Sequence, residues 1–74
     1  MKSRFFNGAM IDRLRKAKGW TYRELAIRIG CTEQSVLLWA EGRQEPRANQ
    51  LVRIADALEV DMNKLFKQVK GGRA

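Results

Sequence analysis

Only three residues, Gly30, Cys31 and Thr32, separate two segments that each carry the marks of a short helix, and no other feature constrains the fold as tightly. Upstream, Thr21-x-x-Glu24 is a capping box, in which the two side chains satisfy each other's orphan amides, with Trp20 and Leu25 as a hydrophobic staple. Gly30 offers the left-handed residue that ends such a helix. Downstream, Thr32 is placed to cap a second helix, bracketed by Cys31 and Val36 and closed by Gly42. Two helices of about nine residues joined by so short a link cannot stack antiparallel, so they cross steeply as a helix-turn-helix.

Periodicity and capping predict three further helices. The first spans residues 8–18, capped by Asn7 and ended by Gly19, with Phe6 and Ile11 as its staple and Met10, Ile11, Leu14 and Ala17 facing inward. After Pro46 a fourth helix, 48–58, turns Leu51, Ile54, Ala55 and Leu58 toward the core. Asp61 then caps a fifth, with Val60 and Leu65 as its staple. No segment alternates in the manner of a strand, so the expected architecture is all-α, a compact five-helix domain over residues 1–70 with a frayed tail at 71–74. A chain of 74 residues has room for one core. Such a core supplies ~3–5 kcal/mol unless its helices pack tightly or the chain self-associates, which makes a homodimer a reasonable expectation.

The inventory excludes several functions. One cysteine, Cys31, closes no disulfide within the chain, and the absence of histidine leaves no zinc cluster, so no metal or cofactor is expected. Catalysis is not expected either, because the chain has no glycine-rich phosphate loop and no paired acids. The longest apolar run, 36–40, is far short of a membrane span, and MKSRFFNG lacks the apolar stretch of a signal peptide. The expected setting is the cytoplasm, on the nucleoid. With no sensing domain, a small-molecule ligand is not expected, whereas a protein partner remains open.

A net charge of +7 favours a polyanionic partner, and its distribution says more. Residues 1–19 hold six basic residues against Asp12, and residues 62–74 hold four with no acid, while 20–61 carries five basic residues against seven acids. Positive flanks around a slightly acidic centre suit a protein that grips phosphates from its edges and does something else at its middle.

The chain resembles the Cro and phage-repressor type of helix-turn-helix domain, the XRE family, over about residues 10–67. The resemblance rests on Lys18-Gly19-Trp20-Thr21, Glu24-Leu25-Ala26, Ile29-Gly30, Thr32, Ser35-Val36, Trp39, Glu41-Gly42-Arg43, Pro46 and the run Leu51-x-x-Ile54-Ala55-x-Ala57-Leu58. It implies sequence-specific binding of double-stranded DNA by a transcriptional regulator, typically a repressor, and usually a homodimer on a near-palindromic site.

The same resemblance implies that the recognition helix, about residues 33–41, turns Glu33, Gln34, Leu37 and Leu38 toward the major groove. Helical geometry is compatible, because Val36 and Trp39 at i, i+3 point inward and those four lie elsewhere. Gln34 can pair with adenine N6 and N7, and Glu33 can accept from cytosine N4, although an acid in the first turn also simply favours the helix dipole. Leu37 and Leu38 stand where the family places polar or basic residues. They either meet thymine methyl groups or form an apolar patch, with Ile27, for a protein partner, as in an antitoxin-like or phage regulatory module; Leu38 alternatively folds over the core rim.

Phosphate contacts are implied at Tyr22, Arg23, Thr32, Ser35, Arg43 and Arg47. Ala40 replaces the acid that the family pairs with a basic residue at the position of Arg15, which leaves Arg15 free to reach DNA or Glu41. Lys64, Lys67, Lys70 and Arg73 would line one face if the fifth helix continued past Phe66, either along a phosphate backbone or as a solvated face. Phe5, Phe6, Phe66 and Val69 either cover a dimer seam or cap the core of a monomer.

Overall fold

Helix boundaries follow the caps closely. In the computed structural model, which describes residues 4–68, α1 spans Gly8–Lys18, α2 Tyr22–Ile29, α3 Glu33–Ala40 and α4 Ala48–Leu58. Both halves of the α2 capping box form: the Thr21 amide donates to Glu24 Oε1 at 2.7 Å and the Glu24 amide to Thr21 Oγ1 at 3.0 Å. Gly30 closes α2 at φ 90°, a conformation that glycine adopts without a Cβ penalty. At α3, Thr32 Oγ1 accepts from the Ser35 amide at 3.1 Å. The α2 and α3 helices therefore meet across the short link that the sequence predicts, and they pack on each other, with α1 behind α3 and α4 behind α2.

One core lies between them. Ile11 of α1, Leu25 and Ile29 of α2, Val36 and Trp39 of α3, and Ile54 and Leu58 of α4 are all buried, and Leu65 closes the end of the cluster. Among the described residues no charged or polar residue is buried with them. Trp39 is the largest buried side chain; it fixes the inner face of α3 and so decides which residues the helix leaves outside.

Several expectations are corrected, the first being that Ala17 of α1, expected to face inward, is exposed. Asn7 sits at the N-cap of α1 but its side chain makes no cap bond. Its backbone amide instead donates to the Leu65 carbonyl at 2.7 Å and its carbonyl accepts from the Met10 amide at 3.0 Å, so the position serves the approach of the chain's end to α1. The fifth helix does not form: the architecture has four α-helices, and residues Met62–Leu65 make a single 3₁₀ turn capped by Asp61, whose carboxylate accepts from the Asn63 amide at 2.9 Å. The chain then extends as β2 (Phe66–Gln68), paired antiparallel with β1 (Arg4–Phe6) in the register Phe6↔Phe66, Phe5↔Lys67 and Arg4↔Gln68.

Pairing supplies the reason. A lone turn of four residues has few hydrogen bonds to lose, whereas an aromatic-flanked segment beside another strand gains a ladder and a cross-strand ring contact. Phe6 and Phe66 meet edge to face, centroids 6.3 Å apart at 82°. Because 66–68 is extended, Lys64 and Lys67 share no helical face, and Lys70, Arg73, Val69 and the predicted tail lie outside the described residues.

Gly8 has a role beyond starting a helix. A Cβ built there would collide with the Trp39 carbonyl oxygen and stand 2.9 Å from that of Ala40. The N-terminus of α1 thus abuts the last turn of α3, and only a residue without a side chain permits that approach.

Candidate nucleic-acid interface

The side of α3 turned away from the core carries the residues that the sequence singles out. With Val36 and Trp39 buried, Glu33 and Gln34 are exposed and Leu37 and Leu38 half-buried. Glu33, Gln34, Leu37 and Leu38 line one open depression together with Glu41 and Arg43. All four expected base-contacting residues are therefore brought together on one side of the helix. Among the described residues, no hydrogen bond or ion pair engages the side chains of Glu33 or Gln34. Leu38 also anchors the helix exit, its carbonyl accepting from the Arg43 amide at 2.9 Å.

Candidate phosphate residues flank this face on two sides. Arg47 and Ser35 border a second, polar depression of about 350 Å³ with Trp39, Gln44, Glu45 and Gln50. The Arg47 amide is held by Gln50 Oε1 at 2.8 Å, which fixes the backbone at the start of α4 and leaves the guanidinium outside. Arg43 is exposed and pairs loosely with Glu41 at 3.4 Å. Arg23 is exposed on the first turn of α2. Thr32 and Ser35 are engaged with each other, since the Thr32 hydroxyl donates to Ser35 Oγ at 3.0 Å while accepting from the Ser35 amide. That arrangement orients the Ser35 oxygen and leaves its own proton available.

Tyr22 and Arg15 behave differently from expectation. The Tyr22 hydroxyl donates to Asp12 Oδ1 at 2.6 Å, so the proton that a phosphate would take is already given to a carboxylate. Arg15 is not free: it donates to Asp12 at 2.5 Å and to the Trp20 carbonyl at 2.7 Å, and its guanidinium lies 4.1 Å from the centre of the Tyr22 ring. Arg15 Nε is buried and has no hydrogen-bond partner among the described residues. Lys16 adds a second cation at 3.3 Å from Asp12. The Tyr22 hydroxyl and then Arg15 hold the Asp12 carboxyl down, from 3.8 to about 2. Burial and the Asp12 carboxylate push the Tyr22 phenol up, and the Asp12 hydrogen bond pushes Arg15 up.

Sequence reasoning missed Asp12 as the acceptor that replaces the absent acid at position 40. Its signal was the spacing Asp12-x-x-Arg15-Lys16, an i, i+3 and i, i+4 pairing on one helix face. Also missed was the cationic cover of Trp20, over which Arg28 lies at 4.2 Å and Lys18 at 5.6 Å. Cys31 is only half-buried, with its thiol pushed up mainly by burial.

A family model described as a helix-turn-helix domain matches residues 8–65. The chain belongs to that family. Both strands fall outside the matched segment. Among solved structures, this helix-turn-helix domain is similar to the restriction-modification controller protein C.AhdI from Aeromonas hydrophila, with a TM-score of 0.76 and 27% identity over 80% of this chain and 89% of that one. It is similar to SinR, a master regulator for biofilm formation solved in complex with DNA, with a TM-score of 0.74 and 27% identity over 78% of this chain and 94% of that one. The clp gene regulator ClgR from C. glutamicum aligns with a TM-score of 0.71 and 28% identity over 78% and 75% of the two chains. These neighbours are XRE-type regulators, in accord with the resemblance in residues 10–67. No curated protein matches the sequence significantly. No helix among the described residues is long and apolar enough to cross a membrane.

Proposed function

We propose that this helix-turn-helix domain is a sequence-specific regulator of transcription that binds double-stranded DNA with α3 in the major groove and acts as a repressor, without catalytic activity, in the cytoplasm. The observation that carries the reading is the uncovered face of α3, where Glu33, Gln34, Leu37 and Leu38 share one depression while Val36 and Trp39 hold the opposite side in the core. A related domain, SinR, was solved in complex with DNA, which supports the choice of ligand.

On this reading, base identity is read by the four α3 residues, and attraction comes from Arg23, Arg43 and Arg47 around them, with Ser35 and Thr32 near the backbone. Tyr22 reaches a phosphate with its hydroxyl only by giving up Asp12; its position at the start of α2 still presents a backbone amide. A homodimer would place two copies of α3 on half-sites one helical turn apart.

Affinity selection from a random duplex library at moderate salt tests the reading. An enriched motif is expected, and a palindromic one would report the dimer. The half-buried leucines favour a second reading, a protein-interaction surface on the same face. Salt separates the two, because DNA binding weakens by orders of magnitude as counterion release is suppressed, while an apolar protein contact barely changes.

A further inference from the structure

The strand pair has two outer edges, and they differ in what they leave unpaired. Directly opposed residues of antiparallel strands alternate between pairs that exchange hydrogen bonds and pairs that do not. The Asn7 amide donates to the Leu65 carbonyl at 2.7 Å, one step beyond the register Phe6↔Phe66, Phe5↔Lys67 and Arg4↔Gln68. By that alternation Phe5 and Lys67 also bond across the ladder, while the amides and carbonyls of Arg4 and Phe6 on β1, and of Phe66 and Gln68 on β2, point away from it. On β2 the Phe66 amide already donates to the Asn63 carbonyl and closes the 3₁₀ turn. On β1 no further backbone bond reaches Arg4 or Phe6 among the described residues, and the principal contact of the strand is β2. Such an edge is a template for another strand.

Symmetry selects how a second copy fits. Two copies of β1 pairing antiparallel about a two-fold axis oppose outward groups to outward groups only if the axis passes through a residue; an axis between residues sets an outward group against an inward one. An axis at Phe6 opposes Arg4 to Gly8, which is already helical. An axis at Arg4 sets that residue against its own copy, and like charges directly opposite are destabilising. An axis at Phe5 avoids both and gives four reciprocal bonds, between Arg4 of each copy and Phe6 of the other. The same construction on β2 places the axis at Lys67 and opposes two lysines.

We infer that β1 pairs antiparallel with β1 of a second copy of this chain about a two-fold axis at Phe5, so that one four-stranded sheet runs through the dimer. The inference supplies an interface for the homodimer proposed above and rests on that reading for its purpose. Gly8 abuts the last turn of α3 and Phe5 stands three residues before it, so the axis lies within about 25 Å of the centre of α3. Two copies of α3 are then at most about 50 Å apart, which admits half-sites one helical turn, about 34 Å, apart. A contact of four backbone bonds is weak by itself, and two half-sites on one duplex strengthen it by holding the copies together.

Sedimentation of the full chain without DNA, at rising concentration, tests this with two variants. Arg4→Pro and Gln68→Pro each remove one outward amide and leave the bonds between β1 and β2 in place. Arg4→Pro should weaken self-association about tenfold or more, as expected on losing two hydrogen bonds per dimer, and Gln68→Pro should leave it unchanged. Disulfide trapping in a glutathione buffer then reads the register in a Cys31→Ser background. Phe5→Cys should link two copies, because a non-bonded pair on the axis brings its Cα atoms to about 4.5 Å, and Lys67→Cys should not. Equal effects of the two proline variants, or linkage at position 67 as readily as at position 5, overturns the inference. A native chain that stays monomeric and links at neither position overturns it too. An enriched duplex motif bound by such a monomer keeps the DNA-reading function, whereas a dimer with this register that enriches no motif loses that function and keeps the contact.

Discussion

The hydroxyl of Tyr22 donates to Asp12 Oδ1 at 2.6 Å while the Arg15 guanidinium covers the Tyr22 ring at 4.1 Å, so α1 and the first turn of α2 are joined through one carboxylate. Because this carboxyl titrates near 2 in place of 3.8, folding favours its ionised form. A depressed carboxylate stabilises fully above its unfolded value, about 4, and the contribution disappears as pH falls toward 2. Screening of this partly exposed group reduces the contribution to about 1 kcal/mol. Thermal melts from pH 6 to 2 should show the native protein losing more stability below pH 4 than Asp12→Asn does. Parallel profiles would remove Asp12 from the account.

Gly8 packs against the last turn of α3 with no space for a methyl group. Gly8→Ala should therefore destabilise the fold by about 1–3 kcal/mol, the usual cost of overpacking, although alanine is the better helix former. Urea denaturation provides the readout, and a neutral or stabilising result would show that α1 and α3 separate easily.

Glu59 is the reverse case. It ends α4 at φ 59°, and among the described residues it is the one non-glycine residue with positive φ. Its carboxylate pairs with Lys18 at 2.6 Å on the surface. Exposed ion pairs contribute little, whereas a side chain in the left-handed region is a standing cost. Glu59→Gly should raise the melting temperature; a fall would mean that the tie between the ends of α1 and α4 outweighs the backbone strain.

For DNA, residues at the edge and at the centre of the interface should fail differently. Arg23→Ala should weaken binding of all sequences alike and reduce the salt slope by about one, as expected on losing one phosphate contact. Gln34→Ala should leave the slope unchanged and relax preference at one base pair by about 1–3 kcal/mol. Binding titrations at several salt concentrations with matched and mismatched duplexes distinguish these outcomes.

Local chemistry explains which parts of the molecule were legible in the sequence. The capping box at Thr21 and Glu24, the glycine at position 30 and the cap at Thr32 are signals carried within a few residues, and each formed as read. Trp39 and Val36 at helical spacing fixed the inner side of α3, and with it the identity of the outer residues. The fifth helix failed because its competitor lies at the other end of the chain, where Arg4–Phe6 offers a strand that no local pattern of three residues could announce. Arg15 was misplaced for a related reason: position 40 lacked the acid, and the substitute, Asp12, came from the helix of Arg15 itself. The close approach at Gly8 was hidden altogether, since a glycine at the start of a helix has an ordinary explanation.

The pairing of β1 with β2 joins residues from the two ends of the chain, outside the segment shared with the family, while α2 and α3 are neighbours in sequence. Closing so long a loop costs more entropy than closing a short one, so the strand pair is a latch that shuts late in folding and reopens first. Its opening need not disturb the packing of α2 on α3. Hydrogen exchange should record two tiers in one small molecule: rapid exchange at Asn7 and the strand amides, and exchange limited by global unfolding at the centre of α2 and at Trp39.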